Sequence, residues 1–372
     1  MVEINIPSDL LPVDGRFGCG PSKVRPAQIA AFSAAGAELL GTSHRQAPVK
    51  NLVKRVQDGL LDLFHNPSGY EIVLGNGGST AFWDVASFSL AEGKSQLLVH
   101  GEFGAKFATA LSAPWLEKPT VVQAEPGSRS ELRAEAGVSA YAYPQNETST
   151  GVVAPVRRIQ GADPDALFLT DATSAAGGID FDPNETDVYY FAPQKNFASD
   201  GGLWFALMSP KAIERAERIA SSERYIPEFL SLKTAIDNSR LNQTLNTPAI
   251  STLFLLAEQV DWMNENGGLK WADSRTRSAS NHLYDWAEAS AFATPFVSNV
   301  EHRSQVVSTL DFIDSVDAAQ VAKILRANGI VDTEPYRKLG RNQLRIATFT
   351  ATELSDVQQL TRCIDYVVEA LG

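Results

Sequence analysis

Between residues 70 and 210, short apolar runs alternate with stretches of helical character, and this alternation narrows the fold more than any other feature. Residues 71–74, 96–100, 120–123, 140–143, 166–170, 188–191 and 202–208 read as buried strands. The stretch that follows Gly78 through Leu90 reads as a helix, as does Glu102 to Leu111. Strands alternating with helices predict an α/β fold, with a mostly parallel seven-stranded sheet covered on both faces. In such a sheet the working residues gather at the carboxyl ends of the strands.

After about residue 250 the pattern changes. Helices are expected over 251–264, 269–289, 317–328 and 355–371, with strands over 306–312 and 343–349. Gly329 is the expected stop of the third of these helices. Ser355 is the expected N-cap of the last, whose Val357, Leu360, Ile364, Val367, Val368 and Leu371 share one face. The chain therefore divides into an N-terminal arm (1–15) joining the small domain, a large domain (16–260) and a smaller C-terminal α+β domain (261–372).

The 372 residues are 44 % hydrophobic, enough for a sizeable core, and contain no apolar run long enough for a membrane helix. The first residues lack a basic patch followed by an apolar segment, so no secretory signal is expected. The two cysteines, Cys19 and Cys363, give neither metal spacing nor a disulfide framework, and a cytoplasmic enzyme without a metal is the simplest inference. A net charge of −12 argues against nucleic acid and anionic membrane as partners and makes any local cluster of basic residues informative.

Two of the strands end in residues with a chemical use. The run 167–170 leads to Asp171, and the run 188–191 leads through Ala192, Pro193 and Gln194 to Lys195 and Asn196. An aspartate followed by a lysine at two strand ends is the order needed to hold pyridoxal 5'-phosphate. The lysine amine condenses with the cofactor aldehyde, and the aspartate keeps the pyridine nitrogen protonated, so the ring withdraws electrons. Taken alone, an Asp and a Lys two dozen residues apart are as readily solvated surface charges. Their place at strand ends, in company with further motifs, is what gives them weight.

The loop Gly75 to Thr80 lies between a strand and a helix. Its Gly78 lets the backbone approach an anion, and Ser79 and Thr80 add hydroxyls at a helix start, although the segment also reads as an ordinary tight turn. It is not a P-loop, because the Lys-Ser/Thr ending is missing. Phe103 is a candidate for stacking on the cofactor ring or a plain core residue. Thr148, in the polar stretch 144–151, is a candidate donor to the ring's phenolic oxygen. Gln194 is a candidate phosphate ligand. His44 and Arg45, Arg345 in a late strand, and Arg337, Lys338 and Arg341 just before it are candidates for binding anionic substrate groups, arginine forks being suited to carboxylate and phosphate.

Together these residues resemble the phosphoserine aminotransferase family, within the class V group of fold-type I pyridoxal-phosphate-dependent transferases. The resemblance covers nearly the whole chain and rests on 17–22, 43–45, Asn146-Glu147-Thr148, 192–196 and 245–248. It implies a transaminase that moves the amino group between L-glutamate and 3-phosphohydroxypyruvate, giving O-phospho-L-serine and 2-oxoglutarate in serine biosynthesis. A second role on a related phosphorylated threonine derivative in pyridoxine biosynthesis is also implied.

By the same resemblance, Lys195 is the cofactor lysine and proton carrier, Asp171 binds the ring nitrogen, Phe103 covers the ring and Thr148 contacts the ring hydroxyl. Gly78, Ser79, Thr80 and Gln194 hold the cofactor phosphate. Asn246 and Thr247 do so from a second copy, which implies a homodimer with shared sites. His44, Arg45, Arg345, Arg341 and Arg337 bind substrate. One departure stands out: Ser79 and Thr80 occupy the glycine loop where familiar bacterial members carry an arginine, and the basic group at 337–341 is the expected substitute. The alternatives are another class V aminotransferase, such as an alanine–glyoxylate type, and a non-catalytic scaffold of the same fold.

Overall fold

The computed structural model describes residues 4–372, so the first three residues of the expected N-terminal arm lie outside the described residues. The strands are β1 (Glu71–Asn76), β2 (Lys94–Val99), β3 (Thr120–Gln123), β4 (Val138–Pro144), β5 (Asn146–Glu147), β6 (Val152–Val153), β7 (Leu167–Asp171), β8 (Val188–Phe191), β9 (Leu203–Met208), β10 (Ala293–Pro295), β11 (Val307–Phe312) and β12 (Gln343–Ala347). The helices are α1 (Pro26–Leu39), α2 (Ala47–Leu63), α3 (Ser79–Ser89), α4 (Glu102–Ala110), α5 (Pro210–Ala220), α6 (Leu232–Arg240), α7 (Ile250–Glu265), α8 (Gly268–Ala289), α9 (Ala318–Ala327) and α10 (Leu354–Leu371).

Seven strands form one sheet in the order β1-β9-β8-β7-β4-β2-β3. The pairs β2–β3, β2–β4, β4–β7 and β7–β8 are parallel, while β9 runs antiparallel to both β8 and β1. The alternation in the sequence correctly implies a mostly parallel sheet; it does not reveal that β9 turns back. The β8–β9 connection is short and carries no helix, so the chain makes a tight reversal there. β7, β8 and β9 are buried at every position, because helices cover both faces.

One core packs α2 and α7 against Ile72, Leu74, Tyr189, Phe191 and Phe205 on one face of the sheet. A second packs α3, α4 and α5 against Val73, Val99, Tyr190 and Trp204 on the other. Helix α2 follows from Val49, Leu52, Val53, Val56, Leu60 and Leu63, all buried and spaced three or four apart.

A third core surrounds the antiparallel sheet β10-β11-β12 and takes in the second half of α8 together with α9 and α10. Asp317 caps α9, its carboxylate accepting from the amides of Ala319 and Gln320. The expected cap of α10 is corrected: the helix starts at Leu354, with Glu353 at the N-cap and Ser355 already inside the first turn. On the expected apolar face of α10, Val357, Leu360, Ile364 and Val367 are buried, whereas Val368 and Leu371 are only partly so. The N-terminal segment packs on this third core through Ile6, with Asn328 Nδ2 donating to Ile4 O at 2.9 Å. Among the described residues no helix is long and apolar enough to cross a membrane.

Candidate active site

Loops from the carboxyl ends of β1, β2, β4, β7 and β8 converge on one cleft of about 380 Å³. Gly78, Ser79, Thr80, Phe103, Thr148, Asp171, Gln194 and Lys195 all line it, so eight of the residues singled out in the sequence are brought together.

Asp171 is the last residue of β7 and is 5 % exposed. Its carboxylate is held from both sides. Oδ1 accepts from Thr173 N at 2.9 Å and Thr173 Oγ1 at 2.5 Å, and Oδ2 accepts from Trp83 Nε1 at 3.2 Å. The same indole donates to Tyr190 Oη at 2.9 Å, and burial, with the Asp171 carboxylate second, raises the Tyr190 phenol well above its ordinary pKa. One carboxylate position remains for a further donor, as a ring N–H⁺ requires.

Lys195 lies in the turn between β8 and β9 and is 7 % exposed. Its Nζ donates to Thr148 Oγ1 at 3.1 Å and stands 5.6 Å from the centre of the Phe103 ring. Burial, aided by the nearby Arg345 charge, depresses its pKa to about 8, with Cys19, Asp171 and Glu147 opposing. The turn is pinned by its neighbours. Asn196 Nδ2 donates to Ser174 O at 2.9 Å, and Ser22 Oγ donates to Lys195 O at 2.6 Å. Gly20, at φ +133°, passes so close that a Cβ there would lie 2.8 Å from Lys195 Cε, which leaves glycine as the only fit.

The third wall is the segment Asn146–Thr150. Ser174 Oγ joins Thr148 Oγ1 at 2.8 Å and Asn146 Nδ2 at 2.8 Å. Glu147 is fully buried and turns the other way, onto the start of α4. Its carboxylate accepts from the amides of Phe103 and Gly104, both at 3.0 Å, and from Ser149 Oγ at 2.6 Å. Burial raises its pKa, and these hydrogen bonds work against that rise. Through Glu147, the loop carrying Thr148 and the helix carrying Phe103 keep a fixed spacing.

Near the Asp171 carboxylate, α3 begins at Ser79 after Gly77 and Gly78, so its first amides face the cleft without helical partners. Gln194 Oε1 is buried with no partner among the described residues. A donor-rich helix start, a carboxylate near it, a buried lysine and an aromatic face form a set that fits pyridoxal phosphate. The arrangement offers donors for an anion and an acceptor for a ring N–H⁺, with Thr173 Oγ1 between them.

The remaining candidates are placed differently. Arg345 of β12 donates from Nη1 to Thr148 O at 3.0 Å and lies 5.4 Å from the Tyr336 ring. Its Nε is buried without a partner among the described residues, as a group kept for a ligand would be. His44, Arg45, Asn246 and Thr247 do not line this cleft but stand together beside the glycine loop. Arg45 Nη1 donates to Gln243 Oε1 at 3.1 Å, Thr247 Oγ1 lies 3.3 Å from His44 Nδ1, and Asn76 Nδ2 donates to Thr247 O at 3.1 Å. The basic group at 337–341 does not act as a unit. Lys338 pairs with Glu102, Arg341 pairs with Asp311, and Arg337 is exposed in a short 3-10 turn.

Of the cleft residues not among the site candidates, Trp83, Thr173, Ser174 and Asn146 take part in the hydrogen bonds above, Asn146 having entered only as part of a motif. Two had a readable signal. Thr173 stands two residues after Asp171, the spacing at which an aspartate accepts from its own backbone. Trp83 stands four residues after Ser79 and so shares its helix face.

Comparison with known proteins agrees with this geometry. The family model described as Aminotransferase class-V matches residues 26–333. A putative phosphoserine aminotransferase of Mycolicibacterium vanbaalenii is 61 % identical over 369 residues, 99 % of each chain. The phosphoserine aminotransferase of a Nocardioides species is 60 % identical over 370 residues, also 99 % of each chain. Among solved structures, a phosphoserine aminotransferase of Cytophaga hutchinsonii superposes with a TM-score of 0.88 at 23 % identity, over 95 % of this chain and 99 % of the other. On these matches, this chain belongs to the class-V aminotransferase family.

Proposed function

We propose that this protein is a pyridoxal-phosphate-dependent phosphoserine aminotransferase. It moves the amino group between L-glutamate and 3-phosphohydroxypyruvate, giving O-phospho-L-serine and 2-oxoglutarate. The observation that carries the reaction type is Lys195, a buried amine of lowered pKa beside Thr148 in the cleft that also holds Asp171. The substrate follows from the names of relatives about 60 % identical over nearly the whole chain.

When bound, the cofactor supplies an electron sink joined to the amino-bearing carbon. The protein's own residues do the rest. Asp171 orients the ring by holding a proton on its nitrogen. The α3 amides, Ser79, Thr80 and Gln194 hold the phosphate. Phe103 covers one face of the ring and keeps water from it. Thr148 positions the phenolic oxygen. Lys195 Nζ takes the proton from the substrate's amino-bearing carbon and returns it to the cofactor side, for which a pKa near working pH is suited. Arg345 takes a substrate carboxylate on its unpaired Nε edge.

His44, Arg45, Asn246 and Thr247 complete the site of a second copy, so the working unit is a homodimer. The exposed Leu241, close to this group in sequence, is consistent with a covered surface there. Arg337, exposed, is free to take the substrate phosphate, whereas Lys338 and Arg341 are engaged in ion pairs. Residues 16–260 form the cofactor-binding domain and 261–372 the small domain. The setting is the cytoplasm, where two buried free thiols remain reduced.

The test is the visible absorbance of the purified, cofactor-loaded protein. O-Phospho-L-serine and L-glutamate each bleach the band by converting the cofactor to its amine form, and L-alanine leaves it. A band bleached by alanine and unmoved by phosphoserine overturns the substrate in favour of the alanine–glyoxylate type. No band at all returns the chain to a non-catalytic scaffold.

A further inference from the structure

Thr173 touches both the Asp171 carboxylate and the start of α3. Its Oγ1 lies 2.5 Å from Asp171 Oδ1 and 2.7 Å from Ser79 Oγ, the first residue of α3. A threonine hydroxyl carries one hydrogen, and an ionised carboxylate only accepts. With Thr173 N and Trp83 Nε1 already donating to that carboxylate, the Thr173 hydrogen goes to Asp171. Thr173 Oγ1 then accepts from Ser79. The result is a directed chain, Ser79 O–H to Thr173 O–H to Asp171, and hydrogen bonds in such a chain strengthen one another.

We infer that Thr173 couples the start of α3 to Asp171, so that anion binding at Ser79 tightens the hold of Asp171 on the ring nitrogen. The inference rests on reading this cleft as a pyridoxal phosphate site. An anion at the start of α3 draws the Ser79 hydrogen to itself. Thr173 Oγ1 loses its donor and becomes a weaker donor in turn. Asp171 is then less neutralised and accepts more strongly from a ring N–H⁺. No covalent step is involved, only the redirection of one hydroxyl hydrogen. Thr173 acts here as a positioning residue, because its effect on the ring passes through Asp171.

The experiment splits the cofactor into its two halves. Pyridoxal, which lacks the phosphate, is titrated into apo-protein by calorimetry without phosphate and with saturating inorganic phosphate. The ratio of the two Kd values is measured for wild type, Thr173→Val and Thr173→Ser. Through-space attraction between phosphate and ring is common to all three proteins, so the inference is read from the difference between them. The expected result is a tightening of about fivefold or more in wild type and in Thr173→Ser, and of less than about twofold in Thr173→Val. By reciprocity, pyridoxal should tighten inorganic phosphate by the same factor. An equal ratio in wild type and Thr173→Val overturns the coupling. So does a Thr173→Ser variant that binds both probes yet behaves like Thr173→Val. Pyridoxal phosphate itself is titrated in parallel. If wild type binds it and the ratios are equal, only the coupling fails; if wild type does not bind it, the cofactor reading fails and the coupling with it.

Discussion

At the level of single residues, the chemistry is concentrated in how Lys195 is kept. Its surroundings disfavour the charged form, through burial first and the Arg345 guanidinium second, and bring its pKa down to about 8. The neutral amine is the form that attacks an aldehyde, so the depressed value sets a pH window. Covalent capture of pyridoxal phosphate by apo-protein, trapped with borohydride, should therefore rise with pH through a midpoint near 8 rather than near an ordinary lysine's 10.5. Lys195→Ala should show no capture while keeping its secondary structure and its melting transition. Capture at another lysine with the same midpoint would remove Lys195 from its role. The pairing of Asp171 with Lys195 was legible because each ends an apolar run. Trp83 and Ser174 were not, because a helix-borne tryptophan and a serine in a turn look alike whether they face a core or a cofactor.

At the level of elements, the site is made of helix starts and the strand ends before them. α3 and α4 each begin directly after a strand of the parallel set, and each start is shaped by what it faces. The α4 start is closed by the Glu147 carboxylate, which occupies the Phe103 and Gly104 amides. Among the described residues the α3 amides have no such carboxylate partner, and they stay available to an anion. Glu147→Ala should thus cost about 2–4 kcal/mol, since it strips those amides of a buried acceptor. Denaturant unfolding measures the loss. The same variant should bind pyridoxal phosphate more weakly, because Phe103 is no longer held against the loop of Thr148. Unchanged stability would mean that water replaces the carboxylate at no cost. The parallel sheet was readable from alternating apolar runs; the antiparallel course of β9 was not. A short buried strand carries the same residues in either direction, and only the missing helix between 192 and 202 hints at a reversal.

For the whole molecule, the question is which residues belong to which site. His44, Arg45, Asn246 and Thr247 are held together by contacts among themselves and with Gln243 and Asn76, outside the cleft of their own chain. A homodimer with two-fold symmetry would carry such a group to the other copy's site twice over. Lys195→Ala chains mixed with chains carrying both Asn246→Ala and Thr247→Ala should then form mixed dimers with one intact site each. Activity and tight cofactor binding should appear on mixing two preparations that lack them singly. No recovery, with mixed dimers demonstrated by a tag on one chain, would place each site within one chain. The sequence named Asn246 and Thr247 through resemblance only. A contact that exists between two copies leaves no periodicity in one.

Glu147 has one more consequence, for the order in which substitutions can accumulate. Gly101 has an extended backbone that any residue adopts, at φ 169°, yet a Cβ there would fall 2.3 Å from Glu147 Cγ. Position 101 is closed by two side chains, Glu147 and Ser149, the Ser149 Oγ lying 2.5 Å from the same Cβ. It opens only after 147 has been shortened and 149 has given way, and shortening 147 first uncaps α4. Each single step is therefore costly before its companion arrives. Positions 101, 147 and 149 should drift as one unit, changing together across lineages or not at all.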